Sequence, residues 1–237
     1  MELKINSTKP VNIIVSYKDI KSVRLKVFPN QEVKISVPLN TPEEWVEQFL
    51  HDKQDWIKEK LDLFENTKGI EKESKIKSGT STRILGRQLI IRIIYARQKK
   101  VEKNDSEVRI YTQNINDEES IKTQFNNWWQ KMSKQHYTKV LDKIYPIIEK
   151  HGIIKPKITV KKMKTLWGSS SPRHGNINLN YYLFKSPVPC IEYVILHELT
   201  HFIYPRHNKD FYNFITIYMP DWKERKKLLD YEIVLGV

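Results

Sequence analysis

The sequence predicts an α+β fold, with an antiparallel β-rich N-terminal region carrying one helix, followed by a mostly helical region with a short β-hairpin. Three observations support this. Two stretches of short β-branched runs separated by turn residues lie before residue 112. A long run of apolar residues at helical spacing follows residue 117. Between them, a shift of composition at residues 114–117 marks a boundary, dividing the chain into 1–114 and 115–237.

In the first stretch, residues 11–17, 23–28 and 33–37 read as an antiparallel hairpin or meander, with Pro29-Asn30 as one turn. Thr41-Pro42-Glu43-Glu44 then reads as a capping box, with Thr41 capping, Pro42 at the first helical position and Glu44 returning a bond to the Thr41 amide. The expected helix covers 41–65, and Trp45, Phe49, Trp56, Ile57, Leu61 and Phe64 give it a packing stripe. Residues 66–79 are polar and contain two glycines, which suits an exposed connection. Strands are expected again at 82–85, 88–95 and 108–112, with Gly86-Arg87 as a turn and the charged segment 97–107 as a longer loop. The two β-rich stretches are similar in character, yet no convincing internal repeat is visible.

Asn116 or Asp117 caps the next helix, whose first turn is acidic as the helix dipole favours, and which ends at His151-Gly152. Pro146 kinks or divides it. Trp128 and Trp129 are better read as its core face than as a base-stacking pair. Residues 158–163 form a strand. Residues 165–171 lead into a turn at 172–175, and 177–180 make a second short strand, giving a hairpin. Helices are expected at 208–219 and after Pro220-Asp221-Trp222.

Composition narrows the function classes. With 237 residues, 39% apolar and 11% aromatic, the chain can bury a sizeable core and is not disordered as a whole. The start lacks the pattern of a signal peptide and no apolar run approaches the roughly 18 residues of a membrane span, so a soluble, cytoplasmic protein is expected, with no membrane partner. A single cysteine, Cys190, rules out an internal disulfide. The net charge of +13 would attract polyanions. Basic residues are nevertheless spread over 97–103, 155–164 and 223–227, so a solvated surface is the better reading and nucleic acid stays a possible partner only. Oligomeric state is not legible.

The chemistry lies in residues 190–211. There His197-Glu198-Leu199-Thr200-His201 forms H-E-x-x-H inside an apolar helical segment containing Ile191, Val194, Ile195, Leu196, Leu199 and Phe202. Residues four apart share a helix face, so both imidazoles can reach one cation while Glu198 stands beside it. His207 follows after Pro205, which stops the helix and turns the chain back. Three neutral imidazoles would leave one position of a zinc ion open, as in a catalytic site. The competing readings are two core histidines satisfied by hydrogen bonds, and His174 in place of His207 as third ligand. The hairpin ahead of this segment offers a strand edge to an extended peptide, which makes Gly168, Ser169, Ser170 and Asn178 candidate substrate-binding residues.

Taken together these residues resemble the YgjP-type zinc metallopeptidases, relatives of the SprT-like and other zincin families. The resemblance rests on Arg24-Leu-Lys-Val-Phe-Pro-Asn, Val-Lys-Ile-Ser-Val-Pro38, Trp56-Ile57, Leu85-Gly86, Trp167-Gly-Ser-Ser-Ser171, Ile177-Asn-Leu-Asn180, Tyr193 to His201, His207 and Phe211. Ser170 stands where the family usually has cysteine, and Tyr212 where tryptophan is common. The resemblance implies a zincin-like metallopeptidase domain over 115–237, one Zn2+ held by His197, His201 and His207, Glu198 as general base, and a peptide or protein substrate. Tyr204, Arg206, Arg173 and His174 are candidates for stabilising the oxyanion. A nucleic-acid-associated protease and a non-catalytic, zinc-stabilised binding module are the alternatives.

Overall fold

The apolar runs do become strands, but they pair in a different order from their order in the chain. The computed structural model describes residues 2–3, 11–28, 31–65, 76–163 and 166–234, so the expected turn at Pro29-Asn30, most of the connection 66–79 and Thr165 lie outside the described residues. The fold is α+β, and the chain divides into two compact units, made chiefly of residues 1–72 and 73–233.

In the first unit, strands β1 (Glu2–Leu3), β2 (Val11–Lys18), β3 (Arg24–Val27) and β4 (Val33–Pro38) form a sheet in the order β1-β2-β4-β3. β4 is parallel to β2 and antiparallel to β3, so the expected antiparallel meander is replaced by a mixed sheet with the last strand in the middle. The reason is visible in β4: Val33, Ile35 and Val37 are completely buried, and the strand with the most regular apolar alternation takes the central place. Helices α1 (Glu43–Asp52) and α2 (Gln54–Glu65) add Val46, Leu50, Ile57 and Leu61 to this core. The single helix expected at 41–65 is thus interrupted at Lys53. Nor does the Thr41 capping box form: Pro42, extended at φ −62° and ψ 143°, is the capping residue and no side chain caps the helix.

The second unit opens with β5 (Ser81–Ile84), β6 (Arg87–Tyr95), β7 (Lys100–Lys103) and β8 (Glu107–Thr112), in the order β5-β6-β8-β7. β7 lies inside the segment expected to be a loop. It carries one apolar residue, Val101, opposite Ile110, and is otherwise held by polar contacts such as Tyr111 Oη donating to Glu102 at 2.8 Å. This sheet repeats the first. In both, the outer strand is antiparallel to its neighbour, the next pairing is parallel, and the last strand by sequence sits between its two predecessors. The registers superpose as well: Ile13-Val33, Val15-Ile35 and Tyr17-Val37 correspond to Ile91-Val108, Ile93-Ile110 and Tyr95-Thr112. Each sheet then leads into a helix whose buried residues correspond, Val46 to Ile121 and Leu50 to Phe125. An internal repeat is therefore present where the sequence suggested none.

The rest of the unit comprises α3 (Glu118–Ile144), α4 (Pro146–Glu149), β9 (Lys157–Lys161), β10 (Gly168–Ser171), β11 (Asn176–Asn180), α5 (Val188–Thr200), α6 (Lys209–Tyr218) and α7 (Trp222–Val234). Asp117 caps α3 by accepting from the Ser120 amide at 3.0 Å, and Pro146 divides the helical run. The second, three-stranded sheet of this unit has the order β10-β11-β9, with β10 antiparallel to β11 and β9 parallel to it. Trp129 and Tyr137 of α3 are buried and donate to the Tyr181 and Asn180 carbonyls, each at 3.0 Å, so the tryptophan pair packs as core. Leu89, Ile91, Val108 and Ile110 of the first sheet share this core with α3 and α5. The compact units accordingly divide near residue 72 and not at the composition shift near 114. Among the described residues no helix is long and apolar enough to cross a membrane.

Candidate active site

The helix α5 starts behind Pro187 and buries Ile191, Val194, Ile195, Leu196 and Leu199. It ends at Thr200, five residues before Pro205, with His201 as its C-cap. The chain then turns through Tyr204 and returns at Asn208, whose side chain caps α6 by accepting from the Phe211 amide at 3.0 Å. That cap fixes the residue before it, His207, over the end of α5.

The three histidines meet. One ligand nitrogen from each of His197, His201 and His207 lies within 4.8 Å of the others, and among the described residues this cluster could hold a metal ion. His174 is not part of it; its Nδ1 is 2.9 Å from Ser171 Oγ in the turn between β10 and β11. Several features fit a cation at the cluster. His207 Nε2 and His197 Nε2 approach to 3.0 Å, a separation at which two neutral lone pairs repel unless a proton or a cation lies between them. The His197 nitrogen that faces His207 is Nε2, which leaves the buried Nδ1 to carry the proton when Nε2 ligates. His201 Nδ1 lies 3.2 Å from the Tyr204 carbonyl, which selects the Nδ1–H tautomer and leaves Nε2 free to ligate.

Burial, with His201 and His207 as neighbours, pushes the His197 imidazole down to about 3, and burial lowers His201 and His207 also. All three are neutral at neutral pH, as ligands must be. Phe211, completely buried, forms the floor, with ring centroids 5.0, 4.7 and 4.7 Å from those of His197, His201 and His207. Phe211→Ala should cost about 3–5 kcal/mol in denaturant unfolding, because a cavity would open beneath all three imidazoles. A loss below about 1 kcal/mol would show that the floor is not structural.

Glu198 lies against β10 and is only 6% exposed. It accepts hydrogen bonds from the Ser170 hydroxyl and backbone N–H, yet burial outweighs them and pushes its carboxyl up to about 7. The fit with β10 is close. A Cβ on Gly168 would lie 2.7 Å from Glu198 Cγ and 2.8 Å from Oε1, so only glycine fits at that position. Ser169 and Asn178 face each other across the hairpin, with Asn178 Nδ2 donating to Ser169 Oγ at 3.2 Å, in a polar ladder that continues through Asn176 to Thr159. Asn178 therefore braces the hairpin. β10 itself is an edge strand.

Sequence reasoning missed Asn180 and Tyr193. Asn180, 4% exposed, donates to the Met163 and Leu166 carbonyls at 2.8 and 2.7 Å, pinning the segment that enters β10. The available signal was an asparagine at a core-facing strand position, where a buried amide needs partners. Tyr193, one turn before His197, begins a stack of rings through Trp222 to Tyr212 and His207, with centroids 6.3, 5.3 and 6.2 Å apart. Of the residues considered for an oxyanion, Tyr204 uses its carbonyl on His201, while Arg173 and Arg206 are exposed.

The shifted groups give opposite dependences on pH in the metal-free protein. Below about pH 6.5 the unfolded histidines take up protons that the folded imidazoles refuse, so stability falls as pH falls towards 3. For Glu198 the folded chain keeps its proton up to about pH 7 while the unfolded chain loses it near 4.5, so stability falls as pH rises between them. Glu198→Gln should therefore stabilise the metal-free protein at about pH 8 by up to ~3 kcal/mol, and much less at about pH 5. Denaturant titrations at the two pH values decide this; an equal effect at both would contradict it.

Residues 21–232 match the YgjP-like metallopeptidase domain. No protein of curated function matches the chain. Among solved structures, the metallopeptidase zymogen jannalysin of Methanocaldococcus jannaschii is similar at 23% identity, over 41% of this chain and 96% of that one, with a TM-score of 0.36. With the match extending over most of its length and a histidine triad suited to a metal ion, the chain belongs to the YgjP-like metallopeptidase family.

Proposed function

We propose that the protein is a zinc-dependent peptidase in which His197, His201 and His207 hold the metal and Glu198 is the general base. The observation that carries this reading is a buried carboxylate next in the helix to a member of a three-histidine cluster and packed against an edge strand. Zinc bound by three neutral imidazoles keeps one position open and, when present, lowers the pKa of a water there towards about 7 and polarises a carbonyl. Glu198, with its carboxyl pushed up to about 7, is matched to accept a proton from the attacking water and to deliver it to the leaving amine near neutral pH. A purely structural site would be closed by a fourth protein ligand, and the cluster contains no fourth histidine, cysteine or carboxylate among the described residues.

The edge of β10 would hold the substrate main chain as an added antiparallel strand, with Gly168, Ser169 and Ser170 presenting backbone groups and Asn178 keeping the hairpin straight. Ser170 would also aim Glu198. Its hydroxyl can do so by hydrogen bonding, and no thiol chemistry is available at that position. Gly168→Ala should then leave zinc stoichiometry unchanged but reduce hydrolysis by about 10²-fold, since the methyl group must displace the carboxylate.

The direct test is cleavage of a mixed peptide library, read by mass spectrometry, with the zinc-loaded protein and again after chelation. Cleavage that disappears with the metal and returns on adding zinc is the expected result. Absence of any cleavage by fully loaded protein would defeat the reading.

A further inference from the structure

We infer that the outer edge of β2 in the first unit is a docking groove for an extended, apolar and basic polypeptide segment, added to the sheet as an antiparallel strand; that this segment belongs to the substrate rests on the peptidase reading. The internal repeat shows what such an edge accepts. In the second unit, β5 pairs with β6 as far as Ile90, and the chain before it continues along the edge. Ile91 N–H donates to the Thr80 carbonyl at 2.7 Å, Gly79 N–H to the Ile91 carbonyl at 2.9 Å, and Ile93 N–H to Ser78 Oγ at 3.3 Å. An extended antiparallel segment thus covers that edge up to Ile93.

The corresponding strand in the first unit is covered less far. Among the described residues β1 pairs with Val11 and Asn12, and no strand lies beside Val15 or Tyr17, the counterparts of Ile93 and Tyr95. At this place there is a groove of about 360 Å³ lined by Asn12, Ile14, Val15, Tyr17, Glu43 and Val46. Ile14 and Tyr17 are 42% and 44% exposed, a large apolar display for one strand.

Both parts of the recognition are therefore present. Edge backbone groups supply sequence-independent pairing, and alternate side chains of an added strand would enter the apolar groove. Glu43, in the first turn of α1, places a carboxylate in its lining, in a protein whose net charge is +13. A lysine or arginine beside the apolar residues would be favoured there, and an acidic segment disfavoured.

The test uses the full chain in the presence of EDTA, so that binding is measured without hydrolysis. The probe is a fluorescein-labelled peptide of about ten residues alternating valine and threonine and ending in two lysines, followed by fluorescence anisotropy. Saturable binding is expected. N-methylation of every second amide in one phase should weaken it at least about tenfold, while methylation in the other phase should change it by less than about twofold, since a strand pairs along one edge only. Tyr17→Lys and Glu43→Lys, both at exposed positions, should each weaken binding at least about tenfold with an unchanged melting curve. No saturable binding up to about 1 mM, equal loss in both methylation phases, or indifference to Tyr17→Lys would overturn the proposal. Because the metal is absent throughout, loss of binding beside intact library cleavage condemns the groove alone, and binding without any cleavage condemns the peptidase reading alone.

Discussion

Glu198→Gln is expected to lower peptide hydrolysis by about 10²–10⁴-fold while zinc content and fold stay unchanged. The substitution keeps shape and removes the base. The amide can still accept from the Ser170 hydroxyl and N–H, so β10 has no cause to move. Metal analysis and steady-state kinetics on the same preparation separate the possibilities. A fall in kcat with zinc retained assigns proton transfer to Glu198. A fall in zinc content would instead make it a ligand, and unchanged kinetics would remove it from the mechanism.

The second large effect concerns the metal itself. His201→Ala should reduce zinc from about one ion per chain to none retained through gel filtration, and hydrolysis should disappear with it. His201 is the more informative of the ligands because its Nδ1 is already committed to the Tyr204 carbonyl, so its remaining nitrogen has no other duty in the site. His201→Asn, which can reproduce the bond to Tyr204 through its side-chain amide, should restore the melting temperature in part but not the metal. If the alanine variant retained a full complement of zinc, the ion would have to lie elsewhere, and the three-histidine centre would fall.

The clustering of His197 and His201 was legible because helical periodicity is rigid: residues four apart must share a face, whatever surrounds them. His207 was legible from its spacing, although the stop it was thought to need from Pro205 comes earlier, at Thr200. Pairing order was not legible. Consecutive β-runs separated by short turns suggest hairpins, and nothing local in residues 33–38 or 107–112 announces that each strand will enter between its two predecessors. β7 escaped notice because an edge strand with only Val101 facing inward has little apolar pattern to show. The repeat was hidden for a related reason. Identities such as Val33 with Val108, Ile35 with Ile110, and Glu43-Glu44 with Glu118-Glu119 are what any strand followed by an acidic helix start would share, until the matching registers give them weight. The approach of Gly168 to Glu198 joins residues thirty positions apart and becomes visible only when the hairpin is laid against the helix.

The turn at Leu85-Gly86 has a consequence for motion. Leu85 and Gly86 both adopt positive φ, 52° and 83°, and their amides donate to the Phe184 and Lys185 carbonyls at 2.9 Å, just ahead of α5. A Cβ on Gly86 would come within 3.0 Å of Pro187, so the turn is seated tightly against the start of α5. The far end of that helix is bound to α6 through the His207-Asn208 turn. Clamped at both ends, α5 is a poor candidate for the moving part when a substrate enters, and its amides, with those of Leu85 and Gly86, should be among the slowest to exchange with deuterium. Whatever compliance the site needs would then fall to the strand that faces the helix, whose edge is bound on one side only.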